Sequence, residues 1–190
     1  TPEWLTDRIA ETVGATVEVG RKIWRAAQEE GPYKQVIALP GDTLEKDWLR
    51  RTLERPVEEV KRIAFLPGVA TLGLDLCRSF RRLEEVTVPE GTTTIRGGAF
   101  AGCRSLRRAS LPKTLETLGE PEARSHFFAT GPFQGCSSLV KIIVHARVIG
   151  IRAFWGCSEL TTITFAEGLV ELSNRAVIQC KQLGQVVLPK

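Results

Sequence analysis

The strongest constraint on this chain is a frame in which a leading residue is followed, three and five positions later, by apolar side chains. It reads Leu83/Val86/Val88, Leu106/Ala109/Leu111, Leu139/Ile142/Val144, Leu160/Ile163/Phe165 and Leu183/Val186/Leu188. Val60/Ile63/Phe65 fits the frame, and Lys34/Ile37/Leu39 fits it more loosely. The middle positions fall at 37, 63, 86, 109, 142, 163 and 186, in steps of 26, 23, 23, 33, 21 and 23. A unit of this size cannot bury its own apolar face, whereas stacked units bury it continuously, so a period near 23 predicts a solenoid of seven windings.

The other half of each unit repeats as well. Ala99-Phe100-x-x-Cys103 recurs as Ala153-Phe154-x-x-Cys157 and Ala176-Val177-x-x-Cys180, with Pro132-Phe133-x-x-Cys136 as a variant. Leu76-Cys77-x-x-Phe80 carries the same two columns with Phe and Cys exchanged, which accounts for an odd total of five Cys. No C-x-x-C pair occurs, so the usual zinc and redox spacings are missing. Cys is small and apolar enough to pack, and the aligned thiols are expected to be free and buried. Turns such as Leu66-Pro-Gly and Val88-Pro-Glu-Gly end the strands, Pro by removing a donor and Gly by allowing a positive φ.

The pattern L-x-x-I-x-I-P-x-x-V-x-x-I-G-x-x-A-F-x-x-C is clearest from Leu83 to Cys103. It resembles the BspA-like, or Treponema pallidum-type, leucine-rich repeats, strongly over residues 57–190 and weakly over 34–56, and is open to the spirochaete member of that family. The resemblance implies a short leucine-rich-repeat solenoid with parallel β-strands on a concave face. It further implies bacterial cell-surface or secreted proteins, often adhesins for host or extracellular-matrix proteins; a cytoplasmic or periplasmic place stays open.

Residues 1–31 lack the repeat. Leu5, Ile9, Val13 and Val17 follow at i+4, and Ile23, Trp24 and Ala27 continue a stripe, which predicts one long or two short amphipathic helices ending at Gly31-Pro32. Residues 32–56 read as a degenerate first repeat with an amphipathic helix over 42–55. Asp42-x-x-Glu45 would be its capping box and Leu44, Trp48, Leu49 and Leu53 its apolar stripe. Such helices would cover the exposed apolar end of a solenoid, so the expected class is α/β with an N-terminal helical cap.

Residues between the inward positions face solvent on the concave sheet. Along it run Lys61-Arg62, Glu84, Glu85, Arg107 and Arg108, then Val140, Lys141, Ile143, Thr162, Thr164, Gln185 and Val187. The alternating charges of the first half can pair with one another. The exposed β-branched residues of the second half suit strands but also suggest a contact surface. The step of 33 holds an insertion near 120–130 in which His126, Phe127 and Phe128 stand in a polar loop, either folded back or offered to a partner or an apolar ligand.

These features exclude several classes. Lys and Arg total 26 against 22 Asp and Glu, a balance too mild for a dedicated nucleic-acid binder. No run reaches the roughly 18 apolar residues of a membrane span. Two His exclude a multi-histidine metal site, and no nucleophile motif or phosphate loop appears. The reading is a non-enzymatic protein-interaction module without cofactor, metal or catalytic residue, using the concave sheet and the inserted loop. Two alternatives stand beside it: a small hydrophobic ligand held between cap, solenoid and loop, and homo-oligomerisation through the C-terminal end, where the repeat stops without a capping segment. The absence of Met points to a trimmed or processed chain.

Overall fold

A computed structural model describes residues 33–36, 42–53, 56–65, 67–120 and 129–190. Strand β1 spans Tyr33–Val36, β3 Arg62–Phe65, β5 Glu85–Thr87, β7 Arg108–Ser110, β9 Lys141–Val144, β11 Thr162–Phe165 and β13 Gln185–Val187. These build one side of the stack, all parallel, as β1-β3-β5-β7 followed by a separate β9-β11-β13. The second side is a continuous parallel sheet: β2 (Asp42–Leu44), β4 (Val69–Leu72), β6 (Thr94–Ile95), β8 (Thr117–Leu118), β10 (Val148–Ile149) and β12 (Glu171–Leu172).

This overturns the α/β expectation. From β3 to β12 each coil carries a strand on both sides with turns between them and no helix in the crossovers. Among the described residues, helix is confined to α1 (Lys46–Thr52) and a 3-10 turn at Val57–Glu59. The fold is a mostly parallel β-solenoid, and no N-terminal helical cap is supported; residues 1–31 lie outside the described residues. Asp42 and Leu44 belong to β2 rather than to a capped helix, and Glu45 makes no side-chain capping bond. Pairing Leu44 with Leu72 continues a buried file through Ile95, Leu118 and Ile149, and that tertiary gain outweighs local capping. In the first coil, Lys34 rather than Ile37 lies opposite Ile63, which sets Val36 opposite Phe65.

The elbow between the two sides carries the aromatic and thiol files. Phe100, Phe133 and Phe154 are fully buried and stacked, with centroids 5.2 and 5.6 Å apart. The thiols of Cys136, Cys157 and Cys180 each donate at 3.2 Å to the carbonyl of Phe100, Phe133 and Phe154 in the preceding coil. Cys103 donates at 3.1 Å to the carbonyl of Cys77, so Cys77 does occupy the Phe column and Phe80 the Cys column. In α1, Leu49 is buried and the Arg50 guanidinium lies 5.8 Å from the Phe80 ring centroid. The residue before each thiol-file position has φ between 62 and 75°, at Ser79, Gly102, Gly135, Gly156 and Gln179. That conformation turns the elbow, which is why three of the five are Gly.

Outside the elbow, the Glu90 carboxylate accepts the backbone N–H groups of Lys113 and Thr114 one coil on, which lowers its pKa. Its contribution is therefore present above the ordinary carboxylate range and is lost as pH falls through the depressed value.

All five cysteines are free. Burial pushes the Cys103 thiol up to about 12 and raises those of Cys77, Cys136, Cys157 and Cys180. Since only the thiolate reacts, iodoacetamide at pH 8 should label Cys180, the one partly exposed thiol, and spare the other four until the protein unfolds. Peptide mapping of the labelled chain checks this; early labelling of Cys136 would contradict the buried file. A raised folded-state pKa also means that stability holds below the ordinary thiol value of 9.0 and declines above it, as the unfolded chain ionises first.

Candidate functional site

The face formed by β3, β5, β7, β9, β11 and β13 holds the outward residues the sequence singles out, in two different states. On its first half the charges pair. Lys61 lies 3.6 Å from Glu84, and Glu85 is 3.8 Å from Arg62 and 3.1 Å from Arg108. These exposed pairs are worth little individually, yet they neutralise both carboxylates. Arg107 is exposed and has no ion-pair partner among the described residues. On the second half Val140, Ile143 and Val187 are 42, 57 and 38% exposed, beside exposed Lys141 and Gln185 and half-buried Thr162 and Thr164. His126, Phe127 and Phe128 lie outside the described residues. Val186 and Leu188 extend buried files but stand exposed in the last coil described.

The two halves meet at a discontinuity. At four strand starts, two adjacent N–H groups converge on one carbonyl of the preceding coil: Glu84 and Glu85 on Lys61, Arg107 and Arg108 on Glu84, Thr161 and Thr162 on Val140, Gly184 and Gln185 on Thr161. The corresponding link from Val140 and Lys141 to Arg107 is not made, and no pairing joins β7 to β9. The rest of the junction is intact. β8 pairs with β10, Phe100 N–H donates to Pro132 O, and Gly102 N–H donates to Gln134 O. The stack therefore stays closed on its second side and at its elbow, and opens only on this face.

Register shows a local cause. Ile63, Val86 and Ala109 are successive partners in one inward file, and Ile142, Ile163 and Val186 continue it beyond the opening. From Ile63 to Val186, Ala109 alone lacks the branched side chain that fills this position, and the ten-residue insertion falls in the same coil. The result is a groove of about 430 Å³. Its floor is Val86, Ala109, Leu111 and Ile142; its rim carries the Glu85–Arg108 pair and Ser110 on one bank, and Lys141, Ile143 and His145 on the other. Glu85, Arg108, Lys141 and Ile143 were candidates from sequence. Ser110 and His145 were not, and the signal that could have found them was an Ala in an Ile/Val column beside an enlarged step. Among the described residues, no cluster of His, Cys, Asp and Glu could hold a metal ion.

Comparisons agree with this architecture. Residues 70–190 match the BspA type Leucine rich repeat region in 6 copies. The T. pallidum Leucine Rich Repeat protein superposes with a TM-score of 0.59 at 23% identity, over 84% of this chain and 72% of that one. A leucine rich cell surface protein from Faecalibacterium prausnitzii gives 0.58 at 23% identity, over 67% of this chain and 31% of that one. A leucine-rich repeat protein from Bacteroides ovatus gives 0.56 at 25% identity, over 67% and 33%. The chain thus spans about a third of the latter two, and at 23% identity the likeness to the spirochaete protein is one of fold. No curated protein matches the sequence.

Proposed function

Because the chain belongs to the BspA-type leucine-rich-repeat family, whose solenoids serve generally as non-catalytic scaffolds for protein contacts, we propose that it binds a protein partner through the β7–β13 half of its strand face. The observation that carries this reading is the exposure of Val140, Ile143 and Val187 on a sheet whose other half engages both of its carboxylates, Glu84 and Glu85, in ion pairs. Apolar side chains held outward on paired strands lose little entropy on contact, which suits an interface core. Lys141, Arg107, Thr162, Thr164 and Gln185 would form its polar rim.

Attachment to host or extracellular-matrix proteins from a bacterial surface or secreted position is the finer form of this proposal. It draws on the cell-surface relative, and among the described residues no helix is long and apolar enough to cross a membrane. A panel of immobilised matrix proteins, probed with the wild-type chain and with a Val140→Asp/Ile143→Asp/Val187→Asp variant, tests it. The expected result is at least a tenfold loss of affinity for any partner found, with an unchanged unfolding midpoint. Equal affinity of the two proteins would overturn the reading.

A further inference from the structure

Resting on that reading, we infer that the groove between β7 and β9 is a recognition site for an extended acidic peptide segment of the partner. Three independent features converge there. The first is unused backbone. The carbonyl of Arg107 and the N–H groups of Val140 and Lys141 lack the link made at four other junctions, so no backbone bond closes the opening over which a peptide can lie. The second is space: the missing branch at Ala109 leaves an apolar hollow for one side chain within a groove of about 430 Å³.

The third is charge. Lys141 and His145 on one bank have no ion-pair partner among the described residues, whereas Glu85, the only carboxylate in the lining, is already engaged by Arg108 and Arg62. A carboxylate entering here meets the Lys141 ammonium, with the His145 ring beside it as a hydrogen-bonding group, without displacing an existing pair. An incoming cation would have to compete with two arginines for Glu85.

The geometry also says how the peptide lies. Cα atoms of β7 and β9 approach within 8 Å, short of the roughly 9.6 Å that two successive strand spacings require. A strand therefore does not insert into the sheet. It lies over the opening, drops one apolar side chain onto Ala109, and brings the residue two positions away, on the same side of the extended chain, to Lys141 and His145.

The probe is the N-acetylated, C-amidated heptapeptide Gly-Glu-Ser-Val-Ser-Glu-Gly, with its double Gln counterpart as control, titrated into the full chain and followed by amide chemical shifts. Saturable shifts centred on 107–111 and 140–145, at least tenfold weaker with the Gln peptide or in Lys141→Gln, support the site. Ala109→Ile fills the hollow with the branch its neighbours carry. It should abolish these shifts while raising the unfolding midpoint by about 2–4 °C, so loss of binding cannot be loss of fold; Ala109→Val is the smaller version if Ile overpacks. No shifts at millimolar peptide, or shifts indifferent to charge and to Ala109→Ile, overturn the inference. A matrix partner whose binding falls in the Val140/Ile143/Val187 variant but not in Ala109→Ile or Lys141→Gln would refute the groove and leave the interaction module standing.

Discussion

Replacing Phe133 with alanine should lower the unfolding free energy by about 3–5 kcal/mol, the range for a large aromatic removed from a closed core. Phe133 is fully buried between Phe100 and Phe154, with interplanar angles of 20 and 7°. Its deletion breaks two stacking contacts at once, each worth about 0.5–1.5 kcal/mol beyond burial. The position matters as much as the size. Solenoid stability is approximately a sum over nearest-neighbour interfaces, and coil 132–150 already lacks its β7–β9 link. Weakening its elbow should uncouple the two halves, so that denaturant unfolding becomes two transitions rather than one. Phe133→Leu, which keeps most of the volume, should stay cooperative. A single transition in Phe133→Ala with less than about 1 kcal/mol lost would mean that the aromatic file is not what joins the halves.

Gly150→Ala should be nearly as damaging, for a different reason. A Cβ built there would stand 2.5 Å from the Glu120 carbonyl oxygen, 2.6 Å from the Glu120 nitrogen and 2.6 Å from the Gly119 carbonyl carbon. All three are backbone, so no side-chain rotation relieves the overlap. The neighbouring coil must move while Gly150 N–H still donates to Leu118 O and Ile151 N–H to Glu120 O. The expected loss is about 3 kcal/mol, the upper end for forced overpacking. Gly91→Ala is the control: φ is +95° there but nothing lies within 4 Å of the added atom, so backbone strain alone should cost about 1 kcal/mol. Gly150 itself is not at a positive φ, so a loss no larger than that at Gly91 would mean that the close approach at 150 relaxes at little cost.

Much of the fold was legible because a stack multiplies each signal. The Leu, Ile/Val, Phe and Cys columns recur often enough that even the exchange at Cys77 and Phe80 could be read before any contact was known. The second strands were not legible, because elements such as Thr94–Ile95 and Thr117–Leu118 are two residues long and cannot display an alternating pattern. At Asp42–Leu44 a plausible capping motif competed with a place in the Leu72 file, and the pairing partner that decided the matter lies a whole coil away. The first-coil register failed for a related reason: Lys34-Gln35-Val36-Ile37 offers too little contrast to choose between registers three residues apart.

The outward residues of the candidate site followed directly from strand alternation. What they do could not be read the same way. Whether Glu85 is offered to a partner or held by Arg108 depends on inter-coil distances, and a missing backbone link leaves no trace in composition. Ala109 was visible as a member of its column; that its smallness opens a groove emerges only once Ile63, Val86 and Ile142 are set in register beside it.

The sameness of the inter-coil bonds bears on how such a chain can change over generations. One unit meets its neighbours through equivalent donors and acceptors at most junctions, so in-frame duplication or loss of a unit creates a junction chemically like an old one. Recombination can lengthen or shorten the array without inventing an interface. The boundary between residues 109 and 142 escapes that rule, since the units flanking it are not interchangeable. It is the address that copy-number change should leave untouched while the rest of the array drifts in length.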